Sequence, residues 1–291
     1  MTIAHLFLWT TAAIWGLAFV AQSMAMDSIG PHSFNAARFL LATLSLLPLL
    51  LIFKSKEKQD TKQLWLGGIA GGGCLFLGST FQQVGLQYTS AGNAGFITSM
   101  YIVLVPIAGT LLGHKTTSNT WLGVLLAVIG LYCLTVGPNF TINKGDAIEL
   151  VGTFFWTAHV LIIAYLSRYV SALPLSIVQF IVATLLCSIT ALMLEAPTLK
   201  GLETAWWSLV YTGVASSAIA FTLQTLGQKN VAPSISALIL STEGVFAVIG
   251  GWMLMGESLS SRGMLGCGFM LAGIIISQWP STSRKAESFA S

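Results

Sequence analysis

Long apolar stretches, separated by short polar connections, follow one another along the whole chain. Each stretch holds about 20 residues, the length that crosses a hydrocarbon core of about 30 Å as an α-helix. The pattern therefore predicts an all-α membrane protein with ten transmembrane helices. The predicted helices are Ile3–Ser23, Ser33–Phe53, Leu64–Val84, Ala91–Leu112, Thr120–Gly137, Ile148–Ser167, Pro174–Leu194, Ala205–Thr225, Pro233–Met255 and Gly263–Trp279.

Composition supports a lipid environment. Charged residues make up 8% of the chain and hydrophobic residues 55%, whereas a soluble domain carries about 25% charged residues. This excludes water-exposed enzyme folds, nucleic-acid binders and disordered tails, and it makes the lipid bilayer the expected partner.

The basic residues predict the orientation, because Lys and Arg near helix ends are retained in the cytoplasm. With the amino terminus inside, nine basic residues lie on the cytoplasmic side and three on the other, so both termini are predicted to be cytoplasmic and the membrane to be the inner (cytoplasmic) one. The two sets are Lys54, Lys56, Lys58, Lys62, Lys115, Arg168, Lys229, Arg284 and Lys285, against Lys144, Lys200 and Arg262.

No cofactor or metal is predicted. The four cysteines, Cys74, Cys133, Cys187 and Cys267, lie inside apolar runs, with no CxxC and no His at ligand spacing. The sequence also has no GxxxxGK[ST] phosphate loop, which disfavours ATP-driven transport by this polypeptide alone.

The two halves of the chain resemble each other when the sequence is shifted by 141 residues. The shift pairs Trp15 with Trp156, Phe39 with Phe180, Trp65 with Trp206, Gly72 with Gly213, Gln83 with Gln224, Gln87 with Gln228, Ala91 with Ala232 and Gly109 with Gly250. A shift of 143 pairs Gly123 with Gly266 and Gly130 with Gly273. We expect two repeats, residues 1–140 and 141–291, with five helices each.

An odd number of helices per repeat means that the second copy enters the membrane in the opposite orientation. Such inverted repeats are related by a pseudo-two-fold axis in the membrane plane and enclose a site near the bilayer midplane. The architecture favours a carrier over a receptor, an anchor or a membrane enzyme.

Several motifs occur in a familiar order: Ile14-Trp-Gly16, Ala37-Arg-Phe-Leu-Leu-Ala42, Glu243-Gly-Val-Phe-Ala247 and Gly256-Glu257. Together with the repeat, they resemble the EamA-like branch of the drug/metabolite transporter superfamily. One departure is Gly244, where that branch often has proline, so we expect a weaker or shifted bend. The resemblance implies that helices one to four and six to nine surround a cavity, with five and ten to the side, and that small metabolites such as amino acids are exported or, less often, taken up.

Glu243 is the candidate coupling residue. It lies about ten residues into the ninth predicted helix, where an isolated charge costs about 2.5 to 3.5 kcal/mol on insertion scales. A carboxyl that gains and loses a proton in an alternating cavity couples transport to a proton gradient. The alternative is a hydrogen-bonded Glu243 that fixes helix packing, or one that is neutralised by Arg38 in a uniporter.

The candidate substrate-binding residues are Trp15, Trp156, His159, Tyr101, Asn93, Gln83 and Arg38. Trp15 and Trp156 are equivalent in the repeats and form two walls of one pocket if both face inward. Trp15, Phe19 and Gln22 share a helical face, as do Trp156 and His159. An Arg38 guanidinium suits a substrate carboxylate, although an ion pair or helix-end carbonyls that hold the bundle are the alternative.

Local helix geometry is also predicted. Pro106 and several small polar residues indicate that the fourth helix is irregular, and we interpret the fourth and ninth helices as the central pair that moves. Glycines spaced by four residues, Gly67 with Gly71, Gly68 with Gly72 and Gly109 with Gly113, predict close helix packing.

The sequence thus predicts a secondary active transporter, working as a monomer or alternatively a homodimer, that exports amino acids or related metabolites with proton antiport. The alternative carrier takes up a quaternary amine or a nucleoside-type metabolite. An intramembrane enzyme or a non-transporting regulatory protein is the alternative from another class, but Glu243 is the one carboxyl expected inside the membrane, which argues against hydrolysis.

Overall fold

The computed structural model describes residues 2–52, 60–113, 116–135, 143–255 and 261–279, and within these ranges it contains helices and no strand. The helices are α1 Ile3–Ala25, α2 Pro31–Ile52, α3 Thr61–Gly85, α4 Ala91–Ser99, α5 Tyr101–Leu111, α6 Ser118–Thr135, α7 Lys144–Leu166, α8 Ala172–Leu194, α9 Leu199–Thr204, α10 Trp206–Val210, α11 Ala220–Gln228, α12 Pro233–Leu240, α13 Glu243–Met255 and α14 Ser261–Gln278. A π-helical segment, Tyr211–Ile219, joins α10 to α11.

Eight helical stretches are long and apolar enough to cross a membrane. They are Ile3–Ala25, Pro31–Leu50, Thr61–Gly85, Ala91–Leu111, Lys144–Leu166, Ala172–Leu194, Trp206–Gln228 and Pro233–Leu254. Two shorter apolar helices, Ser118–Cys133 and Ser261–Ser277, coincide with the fifth and tenth predicted helices. The prediction of an all-α, multi-pass membrane protein is confirmed.

Part of the sequence evidence lies outside the described residues. This applies to Gly256-Glu257 of the ordered motifs and to six of the basic residues that predict the orientation, namely Lys54, Lys56, Lys58, Lys115, Arg284 and Lys285.

The fourth and ninth predicted helices are each interrupted. The first break is at Met100, between α4 and α5, and the second is at Ser241 and Thr242, between α12 and α13. Hydroxyl groups bond back to the helix at both places: Ser99 Oγ donates to the Gly95 carbonyl, and Thr242 Oγ1 donates to the Ile239 carbonyl. Such back-bonding bends helices. It accounts for a first break that lies before Pro106. It also accounts for the interruption of the ninth predicted helix, where Gly244 stands in place of the expected proline.

Glycines set the closest helix contacts. A Cβ on Gly68 would lie 2.5 Å from Val178 Cγ1, and one on Gly72 would lie 2.9 Å from the Gln179 carbonyl oxygen, so α3 packs closely on α8 as predicted. Gly113 departs from that prediction. It lies beyond the end of α5 with φ +86°, and a Cβ there would meet nothing within 4 Å, so it serves the turn rather than a helix interface.

Helices α6 and α14 pack mainly against each other and lie beside the interrupted helices. A Cβ on Gly123 would lie 2.5 Å from the Gly273 carbonyl oxygen, and one on Gly130 would lie 2.5 Å from the Gly266 carbonyl oxygen. A cavity lies among most of the remaining long helices, and α1 packs against α11, α12 and α13. Helix α8, which corresponds to the seventh predicted helix, is not among the described helices that line this cavity.

Candidate functional site

One buried cavity lies among α1, α2, α3, α7, α11 and the two interrupted helices, and it encloses about 480 Å³ of empty space, part of it open to solvent. Six of the predicted site residues line it: Trp15, Arg38, Tyr101, Trp156, His159 and Glu243. Most of the predicted site residues therefore lie around a single cavity, although they come from five different helices, α1, α2, α5, α7 and α13.

Gln83 and Asn93 lie outside this cavity. Gln83 is fully buried, and its Nε2 donates to the Gln22 carbonyl at 3.3 Å. Asn93 is in the first turn of α4, where its backbone N–H donates to Ser90 Oγ at 3.2 Å. Both residues therefore support helix packing or helix capping in this structure.

Arg38 is held in the cavity wall, and no carboxylate of the described residues pairs with it. Its side chain is 3% exposed, Nη1 donates to Gln22 Oε1 at 2.5 Å, and the guanidinium lies 4.5 Å from the centre of the Phe39 ring. Gln82 Nε2 donates to the same Gln22 oxygen at 3.2 Å. The Nε atom of Arg38 is buried and has no partner. Amide and aromatic contacts therefore position the cation, rather than the ion pair or helix-end carbonyls considered from sequence.

Glu243 lies on the other interrupted element, as the first residue of α13. It is 3% exposed, and its Oε1 has no hydrogen-bond partner. The Tyr101 hydroxyl faces the carboxyl without reaching the geometry of a hydrogen bond. A helix amino terminus stabilises negative charge, so the break before Glu243 places this carboxyl at a favourable point. Glu243 and Arg38 line one cavity but form no ion pair with each other.

Aromatic rings form much of the cavity wall. Phe221 lies between the two predicted tryptophans, with its ring centre 4.7 Å from that of Trp15 and 6.2 Å from that of Trp156. Trp15 Nε1 donates to the Ser216 carbonyl in the π-helical segment at 2.9 Å. Phe221 has Thr80 as its repeat partner at a shift of 141, so the self-comparison gave no signal for it.

Three glutamines outside the predicted set of site residues also line the cavity, namely Gln22, Gln82 and Gln224. The sequence placed Gln22 on the helical face of Trp15, and Gln224 is the repeat partner of Gln83. Of that pair, the residue that lines the cavity is Gln224, which was not among the predicted site residues.

Glu149 corrects the expectation that Glu243 is the one carboxyl inside the membrane. It lies on α7 within the apolar stretch Lys144–Leu166 and is 1% exposed. Thr98 Oγ1 donates to its Oε2 at 3.3 Å, while its Oε1 has no partner. Glu149 is the second residue of the sixth predicted helix, Ile148–Ser167, so the sequence places it next to a helix boundary.

The comparisons with known proteins agree on the kind of protein. The sequence profile described as the EamA-like transporter family matches twice, over residues 2–136 and 143–279. An "Uncharacterized transporter" of Archaeoglobus fulgidus is 36% identical over 278 residues, covering 94% of this chain and 85% of the relative. The "Uncharacterized inner membrane transporter YedA" of Escherichia coli K12 is 24% identical over 276 residues, covering 90% and 86%.

The fold recurs in a solved crystal structure with a TM-score of 0.77 and 16% sequence identity, which covers 94% of this chain and 96% of that one. The names of the relatives describe membrane transporters, not enzymes. The family profile covers nearly all of the sequence, and the relatives extend over most of its length. This chain is therefore a membrane transporter that belongs to the EamA-like transporter family, as its ordered motifs indicated.

Proposed function

We propose that this transporter is a secondary active carrier of the cytoplasmic (inner) membrane that exports amino acids or related small metabolites by alternating access and proton antiport. One observation carries the proposal: Arg38 and Glu243 line the same buried cavity without pairing with each other. One chain encloses the cavity, so the monomer is the proposed working unit.

A zwitterion matches these two charges. Buried charges are costly unless they are paired. An α-carboxylate can accept from the free Nε of Arg38, and an α-ammonium can pair with the free Oε1 of Glu243. The rings of Trp15, Trp156 and Phe221 then cover the rest of the substrate, as apolar walls do in most ligand sites. A quaternary amine fits less well, because the Arg38 guanidinium repels it.

An inverted repeat provides the proposed alternating access, with residues 1–140 as one unit and 141–291 as the other. The double match of the family profile supports two units. Contacts between equivalent residues support a two-fold relation. Phe39 stacks on its repeat partner Phe180, with ring centres 5.9 Å apart and planes 13° apart.

The glycine contacts of α6 and α14 obey the same rule. The contact of Gly123 with Gly273 becomes the contact of Gly266 with Gly130 when each residue is exchanged for its repeat partner. Exchange of this kind is expected for two helices related by a two-fold axis. With five helices per unit, both termini lie on one side of the membrane, and we propose that this side is the cytoplasm.

Coupling is assigned to Glu243, which borders the cavity and directly follows the break between α12 and α13. In the proposed cycle, a proton occupies the carboxyl when the substrate has left, and the incoming ammonium group displaces it. Binding of a proton to this carboxyl from the outer side of the membrane therefore drives export of the substrate. As the interrupted helices move, Glu243 becomes accessible first from one side of the membrane and then from the other.

Purified protein in liposomes tests this proposal through the flux of radiolabelled amino acids with and without a pH gradient. We expect the wild type to move substrate out of the compartment that the protons enter. Glu243→Gln should abolish the response to the gradient. Glu149→Gln is the matched control, because Glu149 is equally buried but does not line the cavity, and it should retain the response. An unchanged response in Glu243→Gln overturns the coupling role, and absence of amino-acid flux in the wild type overturns the substrate class.

A further inference from the structure

The cavity has a second polar region, around Gln224 of α11. Gln224 lines the cavity and is 1% exposed, and within the described part of the chain neither its Nε2 nor its Oε1 has a hydrogen-bond partner. Its position three residues after Phe221 places both side chains on one helical face. A buried amide that is left unpaired is costly, so this side chain is arranged for a partner that enters the cavity.

Trp156 adds a free donor to the same cavity, with its ring centre 6.2 Å from that of Phe221. The ring nitrogen of Trp156 is buried and has no partner among the residues that the structure describes, whereas Trp15, its equivalent in the first half of the chain, donates to the Ser216 carbonyl. Buried tryptophan N–H groups usually find an acceptor. The two tryptophans thus differ in function: Trp15 is fixed by the backbone, and Trp156 has a donor to offer.

His159 contributes a free acceptor. Gln179 Nε2 donates to the Leu175 carbonyl at 3.2 Å, so Gln179 Oε1 is the atom that lies 2.7 Å from His159 Nε2. The neutral imidazole therefore donates from Nε2, and its Nδ1 is an acceptor. Nδ1 is buried without a partner. The His159 ring stands edge-on to Phe221, with ring centres 5.5 Å apart, which groups it with Gln224 and Trp156.

We propose that Gln224, Trp156 and His159 form a subsite for the primary carboxamide of the substrate's side chain. The inference rests on the proposed function, in which Arg38 and Glu243 hold the amino-acid head. A carboxamide oxygen accepts hydrogen bonds from Trp156 Nε1 and Gln224 Nε2. Its NH₂ group donates to Gln224 Oε1 and His159 Nδ1.

Other chemical groups on the substrate's side chain would leave some of these hydrogen-bonding atoms without a partner. A carboxylate only accepts, so Gln224 Oε1 and His159 Nδ1 would have no donor. An ammonium or guanidinium only donates, so Trp156 Nε1 and Gln224 Nε2 would have no acceptor. A hydroxyl has one hydrogen and therefore serves one of the two acceptors. The carboxamide matches the two donors and two acceptors together.

Ligand titration of the purified transporter tests the subsite with three probes. L-Glutamine carries the amide, L-norleucine replaces it with an apolar chain of similar length, and valeramide carries the amide without the amino-acid head. A site built to hydrogen-bond a substrate rejects an analogue that lacks the bonding group, so we expect the wild type to bind glutamine at least about tenfold more tightly than norleucine.

Gln224→Leu should remove the preference for glutamine, while unchanged binding of norleucine shows that the variant is folded. Trp156→Phe keeps the ring, loses the donor and should reduce the preference in part. Gln228→Leu is the matched control. Gln228 is buried on the same helix, outside the cavity, and its Nε2 donates to the Val160 carbonyl at 3.1 Å, so this variant should keep the preference.

The outcomes separate the subsite from the proposed function. Equal binding of glutamine and norleucine by the wild type, or a preference that survives in Gln224→Leu, overturns the subsite and leaves amino-acid transport standing. Binding of valeramide alone, lost in Gln224→Leu, supports the subsite and overturns the amino-acid head. Binding of none of the three probes overturns both.

Discussion

Gly16 is the residue at which α1 approaches α13 most closely. A Cβ at this position would lie 2.3 Å from Phe246 Cβ and 2.5 Å from the Glu243 carbonyl oxygen. Gly16→Ala must therefore push the two helices apart, and overpacking of this kind costs about 1 to 3 kcal/mol. We expect a lower unfolding temperature for the purified variant, together with weaker substrate binding because Glu243 moves with α13.

Gly73→Ala is the control for this substitution, since a Cβ on Gly73 would meet nothing within 4 Å. Its unfolding temperature should match the wild type. If Gly16→Ala also unfolds at the wild-type temperature, the close approach of α1 and α13 is wrong.

The positions of single residues could be predicted where the residues belong to a repeated sequence pattern. They could not be predicted where a contact with another helix determines which way a side chain faces. The tryptophan pair and Gln22 followed from helical spacing and from the match between the two halves. The match between the two halves makes Gln83 and Gln224 equivalent, yet Gln83 donates a hydrogen bond to the Gln22 carbonyl and Gln224 lines the cavity. Glu149 was missed because it lies next to a predicted helix boundary. A shift of that boundary by one turn decides whether a carboxyl lies at the membrane interface or is buried.

The interrupted helices meet at their breaks. Ser99 Oγ, beside the break at Met100, lies 2.7 Å from the Gly95 carbonyl oxygen and 3.1 Å from the Ser241 carbonyl oxygen at the other break, so its single hydrogen is shared between the two acceptors. Ser99→Ala removes this shared hydrogen bond and leaves a buried carbonyl short of a donor, which costs about 1 kcal/mol. We expect a lower unfolding temperature and an altered transport rate, measured on the same preparation in detergent and in liposomes.

Ser45→Ala gives the comparison for Ser99→Ala. Ser45 Oγ donates to the Leu41 carbonyl of its own helix at 2.7 Å, so its loss removes back-bonding without an inter-helix contact. Equal effects of the two substitutions would show that the bond between the breaks contributes nothing.

The helical type of the elements was predictable, but their irregularities were not. Pro106 was expected to disturb the fourth helix, whereas the break falls at Met100. No feature singled out from the sequence indicated an irregularity in the eighth predicted helix, yet residues 211–219 are π-helical. Contacts with α1 accompany that segment: Tyr211 donates to the Ile14 carbonyl, and Trp15 to the Ser216 carbonyl. These hydrogen-bond partners are far apart in the sequence, so local helix propensity does not predict them.

At the scale of the whole molecule, the proposed two-fold relation accounts for contacts between residues that the self-comparison had already paired. Phe39 and Phe180 were aligned as sequence equivalents, and their rings stack. Residues near a two-fold axis meet their own equivalents, so the sequence match also indicated where helices touch. The same reasoning could not locate the cavity. Residues away from the axis contact residues that are not their equivalents, so the match between the two halves does not predict these contacts.

The inverted arrangement predicts which helix ends share a side of the membrane. Thr2 and Lys144 stand at the starts of α1 and α7, which are equivalent in the two halves, and Arg168 lies just beyond the end of α7; all three are exposed. In a background whose four native cysteines are replaced by alanine, we expect Lys144→Cys to react with an impermeant maleimide in intact cells. Thr2→Cys and Arg168→Cys should react only after the cells are permeabilised.

These labelling patterns separate inversion from a parallel duplication. In a parallel repeat, the starts of α1 and α7 face the same side, so Thr2→Cys and Lys144→Cys would react under the same conditions. Transport by the cysteine-free background shows that the labelled protein is folded. Reaction of both starts from one side would rule out a two-fold axis in the membrane plane, and alternation between two inverted units would have to be abandoned.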